Sequence, residues 1–296
     1  MRKIRTYHEV GGEEGSTLVE QVMAQRNRLS RRLETIRAVV AVASGKGGVG
    51  KSAVTANLAV ALANHGRHVG ALDADLNGPS LARMLGAIGR TLDDGEDGVH
   101  PAIGDAGVRV VSMELLQKEA DAPLRWKDPG GDAYLWRGSM EAGALREFLS
   151  DVVWGPLDVL LVDVPPGTDR IARLLELVPA LDAVLLVTTP SEMARAVVSR
   201  SARMLREAGV EKVGIVSNMT DLVCPDCGRR TPLYHEDGER RLAAETGLDE
   251  WARIPFDPAF ATATDRGRIS EGSAGGAETA HAFDALAQRL LKELTA

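Results

Sequence analysis

The stretch that most constrains this chain is Gly45-Lys46-Gly47-Gly48-Val49-Gly50-Lys51-Ser52, which fits G-x-x-x-x-G-K-[ST] and follows the apolar run 38–43. A loop of this kind surrounds phosphate oxygens with backbone N–H groups, while its lysine ammonium reaches the outer phosphates and its hydroxyl binds magnesium. Glycine lets the backbone approach closely and take positive φ, and the positive end of the following helix favours an anion. The flanks agree, with an apolar strand before the loop and the amphipathic segment 52–64 after it. A glycine turn in a helical hairpin would leave both lysines unexplained. Lys46 is the added feature: an ordinary phosphate loop needs no cation there, so it points to a second phosphate contact.

Composition narrows the remainder. The chain has 296 residues of which 44% are hydrophobic, enough for one large α/β domain or two small ones. Its net charge of -7 and its 4% aromatic content give neither the basic footprint nor the stacking platforms of a nucleic-acid binder. No apolar run approaches the roughly 18 residues that span a bilayer. The start, Met1-Arg2-Lys3-Ile4-Arg5, lacks the apolar centre of a signal peptide. The expectation is a cytoplasmic protein with no nucleic-acid and no membrane partner.

Residues 1–36 are polar and read as an N-terminal helical extension whose arginine-rich run 26–32 is a solvated face. Residues 37–296 read as the phosphate-loop ATPase domain. A second strand over 68–72 ends at Asp73-Ala74-Asp75-Leu76-Asn77-Gly78-Pro79-Ser80, where either carboxylate can orient water at a γ-phosphate. These are also turn and capping residues, and Asp75 is the one favoured for function. The pattern is weaker over 86–129, with a strand at 108–113 and a helix over 141–153, and Trp136 reads as packing. The apolar strand 159–162 ends in Asp163, followed by Val164-Pro165-Pro166-Gly167-Thr168. A carboxylate closing a buried strand beside a phosphate loop is a second magnesium-site signature. Strands 183–188 and 213–217, with a helix over 191–208 between them, complete the alternation; Asn218 then offers an amide that can pair with a base edge. The pattern predicts an α/β fold with a doubly wound, largely parallel sheet of the P-loop NTPase type. A short helix near 239–246, a strand over 251–254 and a final amphipathic helix that packs on the core end the chain.

Segment 221–235 interrupts this rhythm with Cys224-Pro225-Asp226-Cys227-Gly228, the only two cysteines of the chain. Two thiolates at this spacing can grip one metal, and the glycine frees N–H groups to point at sulfur. A thioredoxin-type disulfide prefers a helix N-terminus, whereas this stretch reads as a loop; an inert loop is the third reading. A tetrahedral zinc or a cubane cluster wants four ligands, which two chains supply. The competing route adds His235 and solvent in a monomer.

Together these residues resemble the Mrp-type (ApbC/Nbp) iron-sulfur cluster carriers, deviant-Walker ATPases related to MinD, ParA and the nitrogenase iron protein. The resemblance spans roughly 39–258 and rests on 44–52, 72–80, the Trp136-Arg137-Gly138-Ser139-Met140 stretch, 162–168, Asn218-Met219 and the cysteine knuckle. It implies ATP and Mg2+ held by Gly45, Gly47, Gly48, Val49, Gly50, Lys51 and Ser52, with Lys46 reaching a nucleotide across a homodimer. It further implies Asp75 near the attacking water, Asp163 as the acid at the magnesium, and Asn218 on adenine. Cys224 and Cys227 of each protomer would bridge a [4Fe-4S] cluster destined for apo iron-sulfur proteins. A MinD- or ParA-like spatial switch with a zinc-bridged dimer is the alternative. Three departures stand out: Asp169-Arg170 where the family continues Gly-Asp, Ser191 where glutamine is common, and Glu236-Asp237-Gly238-Glu239-Arg240 in place of a glycine cluster.

Overall fold

The computed structural model describes residues 15–90, 92–116, 143–224, 226–234, 245–272 and 277–295. Helix α1 (Gly15–Leu33) leads into β1 (Val39–Ala43), the phosphate loop, α2 (Lys51–Asn64), β2 (Val69–Asp73) and α3 (Leu81–Met84). The weakly patterned region holds β3 (Asp93–Gly95), β4 (Gly98–His100), β5 (Ala102–Ile103) and β6 (Arg109–Val111), and helix α4 covers 143–150. Next come β7 (Val159–Asp163), α5 (Thr168–Leu177), β8 (Ala183–Thr188), α6 (Glu192–Glu207) and β9 (Val213–Val223). Strands β10 (Arg230–Pro232) and β11 (Asp249–Phe256) and three helices, Pro258–Asp265, Ile269–Gly272 and Ala277–Thr295, close the chain.

Among the described residues nine strands form one sheet in the order β10-β9-β8-β1-β7-β2-β6-β5, with β11 also paired to β9; β3 and β4 form a separate hairpin. All pairings from β8 through β6 are parallel, and β5 and β10 are antiparallel at the two ends. The expected doubly wound α/β architecture is therefore present. Strand β1 is buried along its whole length, as a strand covered on both faces must be. Val40 and Val42 enter one core with Leu58 and Leu62 of α2 and Leu286 and Leu290 of the closing helix. Val39, Ala41 and Ala43 enter the other with Leu149, Ile171 and Val198 of α4, α5 and α6. Strand β1 leads through α2 to β2, with β7 between them, while β8 lies on its other side; the carboxyl end of β1 is thus a topological switch point, where open α/β sheets bind ligands.

Two features depart from the sequence reading. The arginine-rich run of α1 is exposed at Arg26, Arg28 and Arg31, as a solvated face requires, but Leu29 within it and Ile36 after the helix are buried in the second core, and Arg32 donates to the Asp97 carbonyl. Strand β9 also runs 11 residues instead of stopping at 217. Beyond the end of β8 its free side is taken by β10, which pairs Arg230 with Val223, Thr231 with Leu222 and Pro232 with Asp221. The cysteines thus occupy the turn of a β-hairpin. The 136–140 stretch, His235 and most of the 239–246 helix lie outside the described residues.

Candidate functional site

The loop after β1 turns on two left-handed glycines, Gly48 and Gly50, both with φ of 77°. Gly50 is also required sterically, since a Cβ there would stand 2.3 Å from Asn218 Nδ2. Gly45 is equally confined, its Cβ position lying 2.3 Å from Val197 of α6, so the loop is seated against that helix. Helix α2 begins at Lys51 with its first N–H groups directed at the loop.

The centre of the site is Asp163 at the end of β7, fully buried. Its carboxylate accepts from Lys51 Nζ at 2.6 Å, Ser52 Oγ at 2.6 Å and Thr55 Oγ1 at 2.9 Å. Ser52 and Asp163 are hard oxygen donors at hydrogen-bond separation, which suits Mg2+. The structure thus brings together Lys51, Ser52 and Asp163 as the sequence pattern anticipates. Thr55 escaped that reading, although its position four residues after Lys51 puts it on the same helix face. The segment after β7 is tied back to the loop, since the Gly167 N–H donates to the Ser44 carbonyl at 3.0 Å.

Asp73 ends β2 in register with Asp163 on β7. Its carboxylate accepts from the N–H groups of Asp75 at 3.1 Å and of Ser80 and Leu81 at 3.0 Å, so it pins both ends of the loop carrying Asp75. Burial, then the neighbouring negative charge of Asp163, pushes its carboxyl up to about 7. Asp75 is half-buried, and its carboxylate receives the Gly78 N–H at 3.2 Å. Of the two carboxylates the sequence offers here, Asp73 is the architectural one.

Lys46 Nζ lies 3.4 Å from Ser191 Oγ, the side chain that also caps α6 by accepting from Ala194. Ser191 was visible in the sequence only as a departure from the family pattern. Asn218 is buried and donates from Nδ2 to the Val49 carbonyl at 2.9 Å.

At the far end of β9, Cys224 and Cys227 are free thiols, the second exposed. The Cys224 N–H donates to the Arg229 carbonyl and the Gly228 N–H to the Cys224 carbonyl, closing the turn, with Gly228 at φ 68°. Hydrogen bonds from the backbone N–H groups of Cys227 and Asp226 stabilise the Cys224 thiolate and hold its titration below the usual 9.0. Two backbone N–H groups thus point at one sulfur, an arrangement that also suits a metal-bound thiolate. Among the described residues no third histidine, cysteine or carboxylate joins the pair in a metal-holding group.

With this geometry in place, the ParA family profile, described as NUBPL iron-transfer P-loop NTPase, matches residues 35–291. The chain belongs to this family. The chain is 38% identical to the iron-sulfur cluster carrier protein of Saccharolobus solfataricus over 84% of its length and 81% of that protein. It is 36% identical to the bovine cytosolic Fe-S cluster assembly factor NUBP2 over 89% of this chain and 96% of that one. A solved nucleotide-binding protein from Archaeoglobus fulgidus, in complex with ADP, superposes with a TM-score of 0.70 at 35% identity, covering 83% of this chain and 93% of that chain. The cell division ATPase MinD of Pyrococcus furiosus shares the fold at a TM-score of 0.58 and 26% identity, over 86% of this chain and 98% of MinD. No helix among the described residues is long and apolar enough to cross a membrane.

Proposed function

We propose that this chain is an ATP-dependent iron-sulfur cluster carrier, acting as a homodimer in which Cys224 and Cys227 of two copies hold one [4Fe-4S] cluster for delivery to apo-proteins. The observation that carries the reading is the pairing of a phosphate loop, closed on Asp163, with an open two-thiolate knuckle on the same sheet. The names of the Saccharolobus and bovine relatives and the ADP in the Archaeoglobus protein support it. Two cysteines and no third ligand in the described part of the chain favour a shared cluster, since a cubane asks for four thiolates.

In this mechanism the loop N–H groups and Lys51 bind the β- and γ-phosphates, with Ser52 and Asp163 the residues that would hold Mg2+. Magnesium, when bound, neutralises the phosphate charge as the γ-phosphoryl group leaves. Asp75 orients the attacking water from the loop that Asp73 pins. Lys46 reaches the nucleotide of the partner subunit, and Asn218 lies at the adenine. Cluster cargo sits on Cys224 and Cys227, exposed where a client can exchange ligands.

Anaerobic reconstitution with iron and sulfide tests the proposal. A brown protein with about two irons per chain is expected, and colour should vanish in Cys224→Ala and in Cys227→Ala. Zinc bound in place of iron, or no metal bound, overturns the carrier reading.

A further inference from the structure

Strand β9 touches both ends of the proposed chemistry. Asn218 donates to Val49 in the phosphate loop, and Cys224 follows the last residue of the same strand. Between them the strand is irregular. Ile254 of β11 pairs with Asn218 and Phe256 with Leu222, so Met219, Thr220 and Asp221 together oppose the single residue Pro255. This is a bulge, and Met219 within it sits at φ 56°, a left-handed conformation that a long unbranched side chain rarely adopts. The bulge is nonetheless tightly held. Thr220 Oγ1 lies 2.9 Å from an Asp221 oxygen, the Leu233 N–H donates to the Thr220 carbonyl at 3.0 Å, and Asp221 accepts from Arg230 of β10. On the other side, the Met219 methyl lies 3.8 Å from the point where a Gly50 Cβ would stand, and Asn218 Nδ2 is closer still.

We propose that Met219 is a positioning residue that couples occupancy of the phosphate loop to the cysteine knuckle. In this reading phosphate binding acts on Val49 and Gly50, the backbone that Asn218 donates to and that the Met219 methyl approaches. A strand locked in a left-handed bend passes that displacement to β10 and the turn, whereas a freely rotating residue would absorb it. Strain held in place by surrounding contacts is what gives such an element two discrete arrangements. The inference rests on the nucleotide half of the proposed function and not on the identity of the metal.

The test uses the full chain without cluster. Iodoacetamide alkylation of Cys224 and Cys227 is followed by mass spectrometry with and without Mg-ADP, in wild type, Met219→Gly and Met219→Asn. Glycine removes the penalty for the bend and frees the hinge, while asparagine tolerates the left-handed conformation and keeps a side chain. Wild type should show at least about a fivefold nucleotide-dependent change in alkylation rate, Met219→Gly less than twofold, and Met219→Asn an intermediate value. Binding of a fluorescent ADP, measured separately, should remain within about twofold of wild type in both variants. An undiminished nucleotide effect in Met219→Gly, as simple shielding by dimer formation would give, overturns the proposal. So does the absence of any nucleotide effect in wild type that binds ADP. Failure to bind ADP at all would instead strike the proposed function.

Discussion

Replacing Asp73 with asparagine should change how stability depends on pH. Folded Asp73 keeps its proton up to about pH 7, because burial and the facing Asp163 disfavour a second carboxylate, against 3.8 for the free side chain. Between those values the folded chain binds a proton that the unfolded chain has released. The stabilisation is complete below about pH 4 and is lost as pH rises through about 7. The full span amounts to about 4 kcal/mol, of which about 3 kcal/mol falls between pH 5 and pH 8. Urea unfolding at several pH values, wild type beside Asp73→Asn, reads the proton shared by the facing Asp73–Asp163 pair, with groups away from the site common to both chains. The variant's absolute stability is not diagnostic, since its amide places a donor opposite N–H groups that now find a carboxylate. Its pH slope is. The difference in unfolding free energy, wild type minus variant, should fall by about 3 kcal/mol from pH 5 to pH 8. Parallel curves, or a difference that grows with pH, would refute the assignment of the proton to Asp73.

Two further outcomes follow from the site. Thr55→Val removes a buried hydroxyl that reaches both the Lys51 carbonyl at 3.0 Å and Asp163 at 2.9 Å, while leaving Lys51 and Ser52 on Asp163; urea unfolding should show a loss of about 1–2 kcal/mol, and fluorescent-nucleotide titration a drop of less than tenfold. Cys224 should become alkylated at lower pH than an ordinary thiol, with a rate midpoint below 9.0, because Cys227 and Asp226 N–H groups favour its thiolate; a pH–rate profile read site by site checks this.

The fold was legible wherever a strand is buried on both faces and a glycine-rich or acidic turn ends it. Strands β1, β7 and β8 are continuous apolar runs whose boundaries the sequence marks closely, and Gly50-Lys51-Ser52 announces α2. Legibility failed where pairing and not composition decides. Residues 218–223 contain Asn218 and Asp221, both disfavoured in strands, and they remain in β9 because β11 and β10 supply ladders on its two sides. Strands β3 to β5 are two or three residues each, too short to carry a periodicity, whereas β6 lies within the expected 108–113 strand. Likewise Leu29 gives α1 no pattern distinct from a solvated helix, yet it reaches the core.

The site divides the same way. Residue types with a fixed chemical task, Lys51, Ser52, Asp163 and the two cysteines, announce themselves through spacing. Residues that work by holding others do not. Asp73 and Asp75 stand two apart in one acidic turn, and no feature of that turn says which carboxylate faces inward. Only the register of β2 against β7, Asp73 opposite Asp163, sets one acid beside another with Lys51 drawn to the second. Burial, and then the charge of Asp163 that already holds the one nearby ammonium, keep Asp73 protonated near neutrality, where it serves as an acceptor for the loop that carries Asp75. The division of labour between these two aspartates is therefore a property of strand order, which a local motif does not encode.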